Sequence, residues 1–203
     1  MRTHLKLCFA SILVVLGGCS QQEQPAAQGT AAGAEPQYQM TATIKDLMDG
    51  IVDPSADFIW ESVATIVSAA GTEEKRPRTD EEWSDVRRNA VRLLEATNLL
   101  KMPGRRVAKP GEKAEDPLVE LAPEKIEEAL NADRSSWNAH AQQLHDATMQ
   151  AFIAIEKKDT EGLLMSGEAI DQACEKCHLQ YWYPDDAARQ NAQLQGGLSQ
   201  EKK

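Results

Sequence analysis

The 203-residue sequence predicts an all-α fold, a four-helix bundle over residues 41–184. Three observations predict it. Apolar residues recur three and four apart in four separate stretches, the spacing of one buried helix face. Helix-start signals precede three of those stretches, at Thr79-Asp80-Glu81-Glu82, Asp133 and Asp159-Thr160. No credible strand pattern and no internal repeat occurs along the chain.

The first helix is expected over about 41–70, with Ile44, Leu47, Met48, Ile51, Phe58, Ile59, Val63 and Ile66 on its apolar stripe. Gly50 and Asp53-Pro54 interrupt it. Pro54 has no N–H to give the carbonyl of Gly50, so a kink or a restart with Asp53 as N-cap is predicted, and Gly71 ends the helix. The second helix opens on a capping box at Thr79 and Glu82, and its seam is Trp83, Val86, Ala90, Leu93, Thr97 and Leu100. Met102-Pro103-Gly104 stops it. Residues 102–122, with Pro103, Pro110 and Pro117, form a long crossover.

Pro123 to Leu130 make a short helix. Asp133 then caps a third long one with the seam Trp137, Ala141, Leu144, Thr148, Ala151 and Ile155. The fourth carries Leu163, Gly167, Ile170, Cys174, Cys177 and Tyr181, and Pro184 ends it. Residues 185–203 read as a polar tail. The long connection therefore lies between the second and third long helices.

Cys174-Glu175-Lys176-Cys177-His178 is the attachment signature of a c-type haem. Each thiol adds across one vinyl group of the porphyrin and the adjacent imidazole binds iron. Positions three and four apart share one helix face, so a planar macrocycle lying along it is held at two edges and at the metal. With 4 Cys and 4 His in the chain, a chance match has odds of roughly one or two in a thousand. A thioredoxin-like reading lacks its βαβ context. A zinc site lacks further cysteine ligands.

Haem c attachment requires export, and the N-terminus supplies a signal. Arg2 and Lys6 precede an apolar run from Leu7 to Leu16, too short to span a bilayer and suited to a cleaved signal peptide over 1–18. Leu16-Gly17-Gly18-Cys19 resembles a bacterial lipoprotein box, which makes Cys19 the lipidated residue. An ordinary signal peptide cut nearby is the alternative. Ser20 favours outer-membrane sorting. Residues 19–40 are small and polar, a flexible tether from that lipid to the folded domain. Cys8 leaves with the signal peptide, so no cysteine pair remains for a disulfide.

Loss of Arg2 and Lys6 takes the formal charge from −10 to −12. Such a balance argues against nucleic acid and against docking on anionic lipid; solubility is its plainest meaning, a basic redox partner the sharper one. Arg105, Arg106, Lys109 and Lys113 make the crossover the one basic island. A solvated loop is the plain reading there, and a counter-charge for haem propionates or a docking point the alternatives. No nucleophile–base pair, phosphate-binding glycine loop or paired metal carboxylates suggest a catalyst.

A helical bundle with its attachment motif on the last helix resembles the cytochrome c prime family over roughly residues 41–184. The resemblance implies haem between the helices, attached at Cys174 and Cys177, with His178 as proximal iron ligand. Low-spin members take a methionine from the first helix as sixth ligand, and Met48 is the match here; its alternative role is a space-filling core methionine. Met40, Met102, Met149 and Met165 fit less well. His140 abuts the third seam, His145 faces elsewhere, and the two make no metal pair. Tyr181 and Trp182 are placed to cover a haem edge. An arginine that the family often shows after the motif is Trp182 here, leaving Lys45, Arg87 and Arg88 as substitutes for propionate pairing. Trp60, Trp83, Trp137 and Trp182 read as core and haem-edge packing.

The function expected is a lipid-tethered monohaem c-type cytochrome passing single electrons between periplasmic redox partner proteins. The alternative is a five-coordinate haem protein binding nitric oxide or carbon monoxide. A lipoprotein subunit with structural haem is a third reading. The resemblance also implies a possible homodimer.

Overall fold

A computed structural model describes residues 38–185. The expected signal peptide, Cys19, nearly all of the tether and the polar tail beyond Asp185 lie outside the described residues. Within them the chain is mostly helical. In order it forms α1 (Ile44–Leu47), a π-helical turn (Met48–Val52), α2 (Asp53–Glu61), a hairpin of β1 (Ala64–Ser68) and β2 (Gly71–Lys75), α3 (Asp80–Leu100), α4 (Pro123–Ala132), α5 (Arg134–Glu156) and α6 (Thr160–Tyr181).

The first expected helix is the segment that changes most. Its start is a capping box: the Asp46 N–H donates to the Thr43 hydroxyl at 3.1 Å, and the Thr43 N–H donates to the Asp46 carboxylate at 3.0 Å. Pro54 causes neither the restart nor the Asp53 cap expected there. Asp53 is itself helical, and its N–H reaches the carbonyl of Met48, a five-residue step that widens the turn and places Pro54 at the start of α2. One π turn thus absorbs the missing donor without breaking the rod.

The expected helix also stops early, at Glu61, and residues 64–75 form an antiparallel hairpin in place of its last turns and the loop. Thr65, Ile66 and Val67 are β-branched, which favours a pleated chain over a helical one. Ser68 pairs with Gly71 across a two-residue tip, and Gly71 takes φ 127°, a conformation that suits glycine. Ile66 and Val67 consequently stand in solvent (47% and 77% exposed), not on a core stripe. Phe58 is exposed as well, on the outer side of α2.

The seams of α3 and α5 fold as expected, and that of α6 does so at Leu163, Gly167, Ile170 and Tyr181, with Cys174 and Cys177 only partly buried. Trp83, Val86, Ala90, Leu93, Thr97 and Leu100 of α3 are all buried, and so are Trp137, Ala141, Leu144, Thr148, Ala151 and Ile155 of α5. Thr97 and Thr148 satisfy their hydroxyls by donating to Leu94 and Leu144 carbonyls, which lets them sit in the core. The indole N–H of Trp137 donates to the Leu100 carbonyl at 2.8 Å and ties α5 to the end of α3. α3 packs on α2 and α5; α6 packs on α5 and α2; α4 lies against α5 and α6.

The caps at Thr79, Asp133 and Asp159 all form, each side chain accepting an N–H from the first turn. Thr79→Ala is expected to cost about 1 kcal/mol, read as a lower urea midpoint at unchanged slope.

The crossover is a solvated loop only in part: Arg106, Lys109 and Lys113 are exposed, as the plain reading expects, but the stretch around Arg105 is not. Arg105 is buried and donates to the carbonyls of Leu99 and Ala42 and to the Met102 sulfur. Val107 and Ala108 join the core, while Ile44 and Lys45 donate their N–H groups to Arg106 and Val107 carbonyls. The loop so completes the N-terminus of α1, whose first N–H groups have no partner within the helix. Arg106 pairs with Glu127 and Lys109 with Asp46.

The Asp46 carboxyl is drawn down to about 2, first by the Lys109 hydrogen bond and then by Thr43. A carboxyl whose folded value is depressed stabilises above its unfolded value, and loses that contribution as pH falls through the folded one. Wild type should therefore exceed Asp46→Asn in urea midpoint near neutrality, with the gap closing as pH drops from about 4 toward 2.

Candidate functional site

Cys174, Cys177 and His178 lie on the last two turns of α6 and all line one cavity of about 410 Å³, within the range of small-molecule sites. Helical spacing puts them on one side of α6, as the sequence requires. That helix ends because the carbonyl of His178 takes the N–H groups of both Trp182 and Tyr183, and Pro184 follows. The Leu121 N–H then donates to the Trp182 carbonyl at 2.8 Å, so the crossover holds the end of the motif helix in place.

The π-helical turn and α2 contribute Met48, Val52, Asp53, Ala56 and Trp60 to the same cavity. The indole N–H of Trp60 donates to the Gly167 carbonyl at 3.0 Å, joining α2 to α6 below the motif. A side chain at Gly167 would press on Trp60, whose Cδ1 lies 3.1 Å from where a Cβ would stand, so the ring would have to shift slightly to admit one. α5 supplies Trp137, His140, Ala141 and Leu144. Among the five methionines from 40 to 165, Met48 alone reaches the cavity. Met165 is 69% exposed and Met102 is taken by Arg105.

Burial sets the chemistry of the motif side chains. It pushes the Cys174 thiol up to about 11, with Asp171 and Asp53 adding to the effect, and the Cys177 thiol up to about 12, with Cys174 adding. Both stay neutral thiols at pH 7, and they are not joined in a disulfide. Burial also lowers the His178 imidazole from its ordinary value, against the opposing charges of Glu175, Asp53 and Glu120. His178 is therefore a neutral base at neutral pH, with a lone pair free to bind a metal. Among the described residues no three His, Cys, Asp or Glu side chains gather closely enough to hold a metal ion alone.

The remaining sequence expectations divide. Trp182 and Tyr183 flank the His178 ring at centroid distances of 5.8 and 5.9 Å, and both line the cavity. Tyr181 does not; it turns into the core, edge-on to Trp137 at 5.3 Å. Tyr183 takes the place expected for Tyr181 and donates its hydroxyl to Glu175 at 3.0 Å. It lies past the helix end, where helical spacing stops predicting direction. His140 borders the cavity with a buried Nδ1 that has no hydrogen-bond partner, while Nε2 meets Gln180 at 2.8 Å. His145 pairs with Gln142 and Asp146 away from the cavity. Trp83 serves the core alone.

Of the cations expected to substitute for the missing arginine, Lys45 borders the cavity and Arg87 and Arg88 do not. Arg87 pairs with Glu156 and stacks on Phe152, and Arg88 pairs with Asp85. Both sit on the solvent side of α3, where the buried seam does not reach. Lys113, from the basic island, borders the cavity.

Among the described residues, no helix is long and apolar enough to cross a membrane. The chain matches no family model, no curated protein and no solved structure.

Proposed function

We propose that this chain is a monohaem c-type cytochrome, a four-helix bundle that carries single electrons and is tethered by a lipid on Cys19 in the periplasm. The observation that carries the reading is one cavity lined both by the complete Cys-x-x-Cys-His set on α6 and by the single available methionine, on the π-helical turn. Two donors, His178 and Met48, would suit a metal whose other ligands come from a macrocycle. They do not suit a bare zinc ion, which asks four donors of the protein.

In the bundle reading the rod from Ile44 to Glu61 serves as the first helix, with α3, α5 and α6 as the others. Haem c bound in this way supplies a one-electron ferric–ferrous couple. Cys174 and Cys177 would hold the group by thioether bonds, each S–H adding across a vinyl C=C so that no leaving group is needed. His178 binds from the α6 side with its neutral imidazole. Met48 would offer its thioether to the same metal, and a histidine–methionine pairing would raise the reduction potential. Trp60, Trp137 and Leu144 would give the group apolar contacts.

The test is the absorption spectrum and pyridine haemochrome of protein made in a host competent for haem c attachment. Haem that stays with the polypeptide under denaturation and gives a low-spin ferric spectrum is expected. Colourless mature protein with two alkylatable thiols overturns the reading. Covalent haem with a high-spin spectrum and prompt carbon monoxide binding would replace electron transfer with gas binding.

A further inference from the structure

We propose that Lys45 and Lys113 form the carboxylate-binding end of the cavity and receive the two haem propionates; the inference rests on the haem reading above. A haem brings two carboxylates with it, and six carboxylate side chains already border this cavity. Lys45 and Lys113 are the only lysine or arginine side chains that border it among the described residues. Like charges gathered around a partly enclosed space cost free energy, so the propionates belong at the end where the cations are.

The two lysines come to the cavity lining from different elements. Lys45 sits on α1, three residues before Met48, and Lys113 sits on the crossover, two residues before Glu115. Lys45 donates to the Glu115 carboxylate at 2.8 Å. Glu115 shows that a carboxylate fits against the Lys45 ammonium at this rim. A propionate arriving there adds to that contact or displaces Glu115, which is exposed and free to turn to water. The Glu115 hydrogen bond also keeps Lys45 firmly protonated. Lys109 makes a useful contrast. It lies on the same crossover and pairs with Asp46, yet it borders a different cleft.

The test uses the full haem-loaded protein, with spectroelectrochemical titration and the propionate bending bands in resonance Raman spectra. Lys45→Gln with Lys113→Gln should lower the ferrous-to-ferric ratio at a fixed potential by about tenfold, as expected when two charge-assisted contacts to the group are lost. The same variant should shift the propionate bands. Lys45→Arg with Lys113→Arg should keep the wild-type bands, and Lys109→Gln should move neither signal. Unchanged bands in the double glutamine variant, or an equal effect from Lys109→Gln, overturn the inference while leaving the haem reading intact. A protein without haem overturns both.

Discussion

Replacing Cys174 and Cys177 together with serine is expected to abolish covalent haem, giving a mature chain whose mass is that of the polypeptide and its lipid alone. The thioether bonds are the only covalent link available, because no other cysteine lies within the described residues. Single variants should each keep one thioether at most and show a displaced pyridine haemochrome band. Loss of the group should also lower the thermal midpoint. The cavity of about 410 Å³ is bordered by α5, α6 and the π-helical turn, and a group that binds the folded chain there stabilises it relative to the unfolded one. Two serines in partly buried positions add little to that loss. Mass spectrometry of the purified variant decides the matter: wild-type haem mass on the double serine variant would remove α6 from any role in attachment.

Met48→Ala is expected to turn a low-spin ferric spectrum high-spin and to open the iron to carbon monoxide in the ferrous state. No second methionine borders the cavity, so no thioether is at hand to replace it. His140 borders the cavity too, and a variant that remained low-spin with an altered spectrum would point to its imidazole as the substitute. The helix content should change little, because Met48 is only partly buried and the π turn is built from backbone bonds. Coincident spectra for wild type and variant would exclude Met48 as a ligand. The reduction potential should fall as well, since a thioether favours the ferrous state and its loss removes that preference.

The π turn shows how the site depends on local backbone detail. Proline at 54 denies one donor, and the chain answers with a wider turn whose first residue is Met48. A π turn shifts the register of every residue behind it relative to an α-helix. Met48 and Val52, four apart, both border the cavity, as do Asp53 and Ala56 beyond the turn. Sequence spacing places Met48 on the apolar stripe, while the wider turn sets where that stripe faces.

By itself the sequence determined the three seams of α3, α5 and α6, their N-caps and the one-sided Cys174, Cys177 and His178 set. These follow from local rules: a 3.6-residue period, a side-chain oxygen reaching the N–H groups of a first turn, and residues three and four apart sharing a face. Only the tertiary structure decided the hairpin at 64–75, the π turn, the buried Arg105 and the exchange of Tyr181 for Tyr183 beside His178. The buried Arg105 and the exchange of the two tyrosines depend on what lies nearby in space and not in sequence, whereas the hairpin and the π turn settle local conflicts that helical periodicity does not weigh. Arg105 is buried because the Ala42 and Leu99 carbonyls meet there to receive it. Ile66 and Val67 leave the helical stripe because a short β-branched run with a glycine at its turn can satisfy its backbone bonds as a hairpin. Lys113 reaches the cavity because the crossover folds over α1, and no period along the chain records where a loop returns.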